Sequence, residues 1–420
     1  MVVVTGPRDL TLGGFAGVAY GGEAVSVASS RTAVAVPRTR RGAPPPLPSL
    51  QHLDEPLARG VVFACLAELL APGVPAHLAP AVAALLDRPL PKVAVDGQVG
   101  PDESRPLREL LVGAVAAVGG EERHWLLAGC PCAAAMVADA AVRGEQRWAQ
   151  AVALAALAVE GYRAPLGAYD PALAGLWGDP HEGRTLEALG RWLGGATEEA
   201  RRAYQAPVSY RILPRVLGQV GRAVDAARAV AETLLPATGT AGVVPAAWRA
   251  LDAMAVAWAE LAFVAERLVT ATNLSDELPT NLAVEGGLPL GTYAYGWAAS
   301  AFTEEARAAA LPTALTVGAD AGVASGGDLL LPTFPAHRRQ RRAAECADGA
   351  LAILALVASQ ALFATGRRPA PGLEPVLAAV RSRYPPIDEH AADRVLADDA
   401  AALQRAISGG ELLDVEIPAS

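Results

Sequence analysis

The stretch from Pro245 to Thr270 follows a helical hydrophobic pattern, PAAWRALDAMAVAWAELAFVAERLVT. Large apolar residues recur every three or four positions, as one helical face requires, and others cover the neighbouring faces. The first face comprises Trp248, Leu251, Ala255, Trp258, Ala262, Ala265 and Val269. At ~1.5 Å per residue this helix spans roughly 39 Å. Its nearly all-round apolar surface predicts that other long helices surround it.

The same periodicity predicts that most of the remaining chain is helical. Predicted helices cover residues 55–70, 77–86, 106–118, 122–142, 145–162, 214–235, 245–270, 290–310, 336–364 and 390–408. Clusters of proline and glycine predict connectors at 38–48, 88–104 and 163–182. Within residues 8–36 the pattern predicts a short helix, a Gly21-Gly22 turn, a small strand and the start of another helix. The pattern predicts an all-α fold, with an N-terminal region (residues 1–205) and a long-helix bundle (residues 206–420) within one continuous unit.

Composition and charge narrow the classes of partner. The chain has 420 residues, a formal charge of −9 and a pI near 5.3, which argues against nucleic-acid binding because phosphate contacts need a basic face. The sequence has no evident signal peptide, and its Ala-rich helices carry charged residues that argue against membrane spans. Four cysteines in a chain this long fit core thiols in a reducing cytoplasm. A single lysine, Lys92, beside many arginines indicates a high-GC, actinobacterial source.

An arginine-rich segment near the middle of the predicted bundle and a histidine before the first long helix could each be structural or functional. Arg338, Arg339, Arg341 and Arg342 form a basic run, interpreted as a solvated helix or loop face in preference to an anion site. His52 precedes Asp54-Glu55-Pro56-Leu57 and is interpreted as an ordinary histidine at the start of a helix. The spacing of the six histidines supports no metal site.

Several segments resemble the aromatic amino acid lyases, the family of histidine and phenylalanine ammonia-lyases. The opening DLTLGGFAGVAYGGEAVSV is similar to the start of those enzymes, and the segments that begin at Ser209, Glu260, Gly291 and Leu356 resemble later family motifs in the same order. Each segment alone is a weak match to the family, so the resemblance depends on all of them occurring in the family's order along the chain. The resemblance implies an ammonia-lyase/fumarase-like helical bundle that assembles as a homotetramer.

The family's catalytic motif has no full counterpart in the expected stretch. Family lyases cyclise an internal Ala-Ser-Gly to a methylidene-imidazolone electrophile, but residues 97–107 read GQVGPDESRPL, with Pro101 and Asp102 where that triad should be. That electrophile cannot form there, because proline has no free N–H and no serine follows to dehydrate. Ammonia-lyase activity by the usual mechanism is therefore not expected, and no cofactor is predicted.

The candidate site residues combine the altered motif with one matching arginine. Asp102 and Glu103 are the candidate acid and base if they line the old pocket; the alternative is a solvated turn before a helix that Ser104 caps. Arg211 matches the family's carboxylate-binding arginine, which implies substrate binding, but it also suits a structural salt bridge. Tyr210, Tyr293 and Tyr295 are candidate substrate-binding residues, with core aromatics as the alternative.

Two function classes follow. In the first, the protein is a repurposed enzyme of bacterial specialised metabolism that performs acid/base elimination, isomerisation, conjugate addition or cyclisation on a small, carboxylate-bearing molecule. In the second, it is a catalytically inactive homologue that binds a ligand or forms a mixed oligomer. A closed cavity with convergent polar groups would favour the enzyme, whereas a cavity filled by apolar side chains would favour the scaffold.

Overall fold

A computed structural model describes residues 1–28, 52–95, 103–111, 113–114, 118, 120–199, 201–239, 244–313 and 331–413. Its helices in chain order are α1 Leu12–Ala19, α2 Glu55–Leu69, α3 Leu78–Ala83, α4 Ser104–Leu110, α5 Gly120–Leu126, α6 Pro131–Tyr162, α7 Leu173–Trp177, α8 Pro180–Trp192, α9 Val208–Arg211, α10 Leu213–Leu234, α11 Val244–Asn273, α12 Tyr293–Ala309, α13 Thr333–Ala364, α14 Glu374–Arg383 and α15 Leu396–Ser408. Short 3-10 turns lie at Pro7–Asp9, Ala84–Asp87, Leu166–Tyr169, Thr280–Leu282, Pro371–Leu373 and Ala391–Asp393. The predicted all-α fold is confirmed.

The N-terminal segment has the predicted order of elements. Helix α1 begins after Thr11, whose hydroxyl accepts a hydrogen bond from the Gly14 N–H at 3.1 Å. Gly22 turns the chain with a φ of 63°, a conformation that glycine adopts without steric cost. Strand β2 (Val25–Val27) then pairs in parallel with strand β1 (Val2–Val4). The predicted Pro-rich connector and the helix start before it lie outside the described residues.

Five long helices, α6, α10, α11, α12 and α13, form the bundle. Helix α11 packs against α10, α12 and α13, while α6 packs against α10 and α13. One hydrophobic core continues through the described chain from Val4 to Leu412. The division into regions 1–205 and 206–420 stays a prediction.

Helix α6 is one element where the sequence predicted two. Gly144 lies between the predicted helices 122–142 and 145–162, but it remains helical in α6. A Cβ at this position would lie 2.8 Å from the Met254 Cε and 3.2 Å from a Val224 methyl. Glycine is therefore there to admit close packing against α10 and α11, and it does not mark a helix end.

Helix α11 keeps one exposed stripe within a single chain. Most of its residues are buried, as predicted, but Val256 and Phe263 are 42% and 41% exposed. Glu260, between them, and Arg267, one turn further on, are exposed on the same face. The chain's own bundle thus covers all but one side of the helix.

Two helical segments have the length and hydropathy of a membrane span, which the sequence analysis did not expect. They lie within Glu122–Tyr162 and Thr333–Ala364, where 72% and 94% of the most apolar window is buried inside the fold. Core helices of globular proteins have the same composition. These segments are therefore weak evidence for a membrane location.

A buried ion pair connects three helices. Arg147 on α6 donates two hydrogen bonds, of 2.6 and 2.8 Å, to the carboxylate of Asp348 on α13. Ser408, the last residue of α15, donates to the same carboxylate at 2.8 Å. Both charged side chains are buried, so their mutual pairing is what makes their burial tolerable.

Candidate functional site

A polar cavity lies between the segment that leads into α2 and one face of α13. Its volume is about 350 Å³, at the lower end of the range typical of small-molecule sites. Its lining comprises His52, Leu53, Asp54, Val95, His337, Arg338, Arg341, Arg342 and Glu345. Among the described residues, three guanidinium groups, two imidazoles and two carboxylates therefore line one space.

Asp54 is held as a carboxylate at the wall of this cavity. Its Oδ1 accepts the Leu57 N–H at 3.0 Å and caps α2, while its Oδ2 lies 2.9 Å from Arg341 and 3.1 Å from Arg143. Burial would raise the pKa of Asp54, but the two arginines and the backbone N–H hold that pKa below its ordinary value. Asp54 is thus a fixed negative charge.

His337 is a neutral imidazole at the cavity wall. Its side chain is almost fully buried, and its Nδ1 has no hydrogen-bond partner among the described residues. Burial lowers the pKa of His337 to about 4, because the charged form loses its hydration and Arg341 and Arg143 oppose a further positive charge. Near neutral pH this ring is therefore uncharged.

A hydrogen-bonded network connects the cavity to α6. The Tyr20 hydroxyl is hydrogen-bonded to Asp139, and Arg143 Nε donates to Tyr20 at 2.9 Å and to Asp139 at 3.1 Å. Burial raises the pKa of Tyr20 well above its ordinary value. Because Arg143 also contacts Asp54, this network holds the cavity's carboxylate in place.

Glu103, the described member of the predicted acid/base pair, caps helix α6. Its Oε2 and Oε1 accept the N–H groups of Cys132 at 2.6 Å and Ala133 at 2.8 Å. The side chain is buried, and Glu103 also takes the N-cap position of α4 that was predicted for Ser104. A carboxylate at a helix N-terminus is stabilised by the orphan N–H groups and the helix dipole. Asp102 lies outside the described residues.

The cysteines near Glu103 are not poised as nucleophiles. All four cysteines of the chain are free thiols, and three are buried. Burial and the nearby Glu103 and Glu68 raise the pKa of Cys130 to about 12, so its reactive thiolate is scarce near neutral pH. Among the described residues, no group of three or more His, Cys, Asp or Glu side chains is placed to hold a metal ion.

The predicted substrate-binding residues lie elsewhere in the chain. Tyr210 is fully buried, stacks on Tyr162 with ring centroids 4.2 Å apart, and is hydrogen-bonded to Thr272 at 2.8 Å. Arg211 is exposed, and its Nε donates to the Ala206 carbonyl at 3.0 Å.

Tyr293 and Tyr295 begin helix α12. The Tyr293 ring lies edge-on to Trp297, and both side chains are exposed. Tyr295 is half-buried, and its hydroxyl lies 2.6 Å from that of Tyr384. Neither tyrosine lines the polar cavity.

Glu103 and Arg211 lie near opposite ends of helix α6. Glu103 contacts Cys132 at the start of α6. Tyr162, the last residue of α6, stacks on Tyr210, which precedes Arg211 in the chain. Cys132 and Tyr162 are 30 helical steps apart, which at ~1.5 Å per step separates the two ends by roughly 45 Å. Within one chain these two residues therefore cannot meet the same small ligand.

Comparison with known proteins identifies the family. The model of the family described as aromatic amino acid lyase matches residues 113–382. The chain belongs to the aromatic amino acid lyase family. No protein of curated function matches the sequence significantly.

Solved structures of this lyase family have the same fold. Histidine ammonia-lyase from Trypanosoma cruzi superimposes with a TM-score of 0.82 at 18% identity, covering 98% of this chain and 94% of that one. Ergothionase from Treponema denticola gives a TM-score of 0.79 at 14% identity, with 98% and 100% covered. Tyrosine aminomutase from Streptomyces globisporus gives 0.73 at 21% identity, with 87% and 83% covered. At these identities the likeness concerns the fold alone.

The family match begins after the altered motif stretch at 97–107. A second, smaller space lies near the start of α6, beside Ala237 and Thr238. This space, of only about 20 Å³, is lined by residues that include Gly129, Cys130 and Thr238. Glu68 reaches into this region and accepts the Gly239 N–H. The larger polar space at this end of the molecule is the cavity beside His52 and His337.

Sequence reasoning missed the role of α13 in this lyase-family member. Arg338 and Arg341 are half-buried and line the cavity, whereas the whole basic run was expected on a solvated face. That expectation holds for Arg342, whose side chain is 53% exposed. The available signal was the spacing of His337 and Arg341, four positions apart, which places both on one helical face.

Proposed function

We propose that this member of the aromatic amino acid lyase family is an enzyme that acts on a small molecule by acid/base chemistry, without a methylidene-imidazolone group. The observation that carries the proposal is the polar cavity, which keeps open space and convergent charged groups where a mere scaffold has no need of them. The candidate reactions are elimination, isomerisation, conjugate addition and cyclisation, each of which a positioned acid or base can catalyse.

The residues around the altered motif do not suit the family's prosthetic group. Residues 97–107 contain no Ala-Ser-Gly, and Glu103 within this stretch places a buried carboxylate on the first N–H groups of α6. An electrophile gains negative charge as it reacts, and that charge is stabilised by free N–H donors and opposed by a neighbouring carboxylate. We therefore derive no step through this group.

The cavity's own residues supply different functions. His52 is exposed at the cavity and is the group we assign to proton transfer, since histidine is the commonest general acid or base. Asp54 is fixed by Arg143 and Arg341 and supplies a constant negative charge beside it. Asp102 and Glu103 stay predictions as acid and base, and the helix-capping contacts of Glu103 favour a structural role for that residue.

We further propose a homotetramer, in which Arg211 of the partner subunit approaches the cavity end of the first chain. The resemblance implies this arrangement, and the roughly 45 Å between Glu103 and Arg211 in one chain makes a second chain necessary if both serve one ligand. Tyr293 and Tyr295 stay predictions as substrate-binding residues on the same basis. Tyr210 has the same predicted role, but its stacking on Tyr162 favours the core alternative.

Intact-mass and peptide mass spectrometry test the proposed absence of the prosthetic group. Peptides that contain residues 97–107 should have their full calculated mass, without the loss of two water molecules that cyclisation of Ala-Ser-Gly entails. The peptide that contains Ala324-Ser325-Gly326 must be measured as well, because this tripeptide occurs there in the sequence. Loss of two waters from either peptide would contradict the proposal.

Solvent exchange tests the acid/base chemistry. The protein is incubated in D2O with a panel of small amino, hydroxy and keto acids, and NMR follows deuterium incorporation. We expect exchange into at least one compound, strongly reduced in His52→Ala and unchanged in His390→Ala, a matched change of an exposed histidine away from the cavity. Exchange that is equal in wild type and His52→Ala would remove His52 from the mechanism, and the absence of all exchange would favour the ligand-binding or hetero-oligomer scaffold.

A further inference from the structure

Among the described residues, the cavity is lined by three arginines but by only two carboxylates. Asp54 is already occupied by Arg341, Arg143 and the α2 backbone, and Glu345 lies 3.5 Å from Arg342. Arg338 has no carboxylate partner among the described residues, and its Nη1 donates to the Val95 carbonyl at 2.7 Å. A guanidinium carries five N–H donors, so Arg338 has donors available to a ligand.

His337 adds a second, independent feature of the same wall. The side chain is 2% exposed, it lines the cavity, and its Nδ1 has no partner in the described part of the chain. An unpartnered buried polar atom is destabilising and calls for a water or ligand group that would satisfy it. A hydroxyl suits this position because it can donate to or accept from a neutral imidazole in either tautomer.

We propose that the polar cavity binds a small organic molecule that carries both an oxyanion and a hydroxyl group. The oxyanion, a carboxylate or a phosphate, accepts hydrogen bonds from Arg338 with support from Arg341. The hydroxyl is hydrogen-bonded to His337 Nδ1. The volume of about 350 Å³ limits the ligand to a small metabolite. That this ligand is the substrate rests on the proposed function, whereas its binding to the cavity does not.

Calorimetric titration of the full-length protein tests the site without turnover. The probes are L-lactate and propionate, which differ by one hydroxyl, and glycerol 3-phosphate and inorganic phosphate, which separate phosphate from carboxylate recognition. We expect lactate to bind more tightly than propionate, or glycerol 3-phosphate more tightly than phosphate, by roughly fivefold for a hydrogen bond of ordinary strength.

Three variants assign the binding to the cavity. Arg338→Gln should weaken binding by about tenfold or more, because a charge-assisted hydrogen bond is lost. Arg339→Gln is the matched control, since its guanidinium donates to the Leu311 carbonyl and does not line the cavity. His337→Leu should abolish the preference for the hydroxylated probe while the probe without a hydroxyl still binds. Thermal unfolding of each variant checks that it is folded.

The outcomes separate this inference from the proposed function. The oxyanion site would be overturned if none of the four probes bound at about 10 mM. A dissociation constant above that concentration corresponds to a binding free energy weaker than about 3 kcal/mol. Equal weakening by Arg338→Gln and Arg339→Gln would also overturn it. Binding that follows the expected pattern, together with a failure of solvent exchange, would retain the site and reject the enzymatic function.

Discussion

The burial of His337 makes the stability of the protein depend on pH. Its pKa is about 4 in the folded chain and returns to about 6.5 on unfolding. Between these values the unfolded state binds more protons, so the free energy of unfolding falls as the pH is lowered from 6.5 to 4. The full loss from this one group is about 3 kcal/mol. Urea unfolding at several pH values should reveal it.

A His337→Gln variant isolates this contribution. Glutamine does not titrate, so the variant should lose less stability than wild type over the same interval, whatever its stability at neutral pH. His390→Gln is the control, because the His390 side chain is 77% exposed. If the His337→Gln variant had the same pH slope as wild type, the imidazole would not be neutral and buried as described.

At the same scale, Glu103 illustrates what residue identity alone could not predict. Its position beside the altered motif suggested an acid or base, and its chemistry allows that role. The N–H groups that it caps belong to Cys132 and Ala133, which follow it by about thirty positions. Only the fold brings the residue that precedes α4 to the first N–H groups of α6, and no local pattern encodes it.

The packing of α6 against α13 depends on a close approach at Gly161. A Cβ there would lie 2.9 Å from the carbonyl oxygen and 3.2 Å from the Cα of Ala358. Since these are backbone atoms in two long helices, neither can move aside cheaply. Gly161→Ala should therefore reduce the free energy of unfolding by about 1–3 kcal/mol, as overpacking does, despite the better helix propensity of alanine.

Gly167→Ala provides the control for that measurement. A Cβ at Gly167 would meet no heavy atom within 4 Å, so this change should alter stability by less than about 0.5 kcal/mol. Both variants are compared by urea unfolding. Equal stability of Gly161→Ala and wild type would mean that the two helices are less closely packed than their geometry indicates.

Hydrophobic periodicity predicted the long helices to within a few residues. The helix predicted at 336–364 spans Thr333–Ala364, and the one at 245–270 spans Val244–Asn273. The pattern failed where tertiary contacts decide, as at Gly144, which packs on Met254 inside α6. It also missed α8 (Pro180–Trp192), although Asp179 and Pro180 form a recognisable helix start, with Asp179 capping the first N–H groups. The cavity escaped prediction because His52 and His337 are brought together only by the fold.

The single chain leaves an apolar groove on its surface. The groove, of about 790 Å³, lies between α9, α10 and α11 and is lined by residues that include Val208, Ile212, Phe263 and Leu274. These four side chains are each at least 40% exposed. Together with the exposed stripe of α11, which also carries Glu260 and Arg267, they form a mainly apolar surface of the kind that subunit interfaces cover. The proposed homotetramer would bury it.

A charge placed on this surface should prevent assembly while the chain stays folded. Phe263 lies on the exposed stripe, so Phe263→Glu adds no buried charge to the isolated chain, but it would bury an unpaired carboxylate in a subunit interface. Light scattering should give wild type about four times the 43.0 kDa chain mass and Phe263→Glu a smaller species. Leu176→Glu is the control, since Leu176 is 82% exposed on α7 and does not line the groove. A monomeric wild type at micromolar concentration would refute the tetramer, and with it the approach of Arg211 of the partner subunit to the cavity. A tetrameric Phe263→Glu variant would instead place the interface on another face.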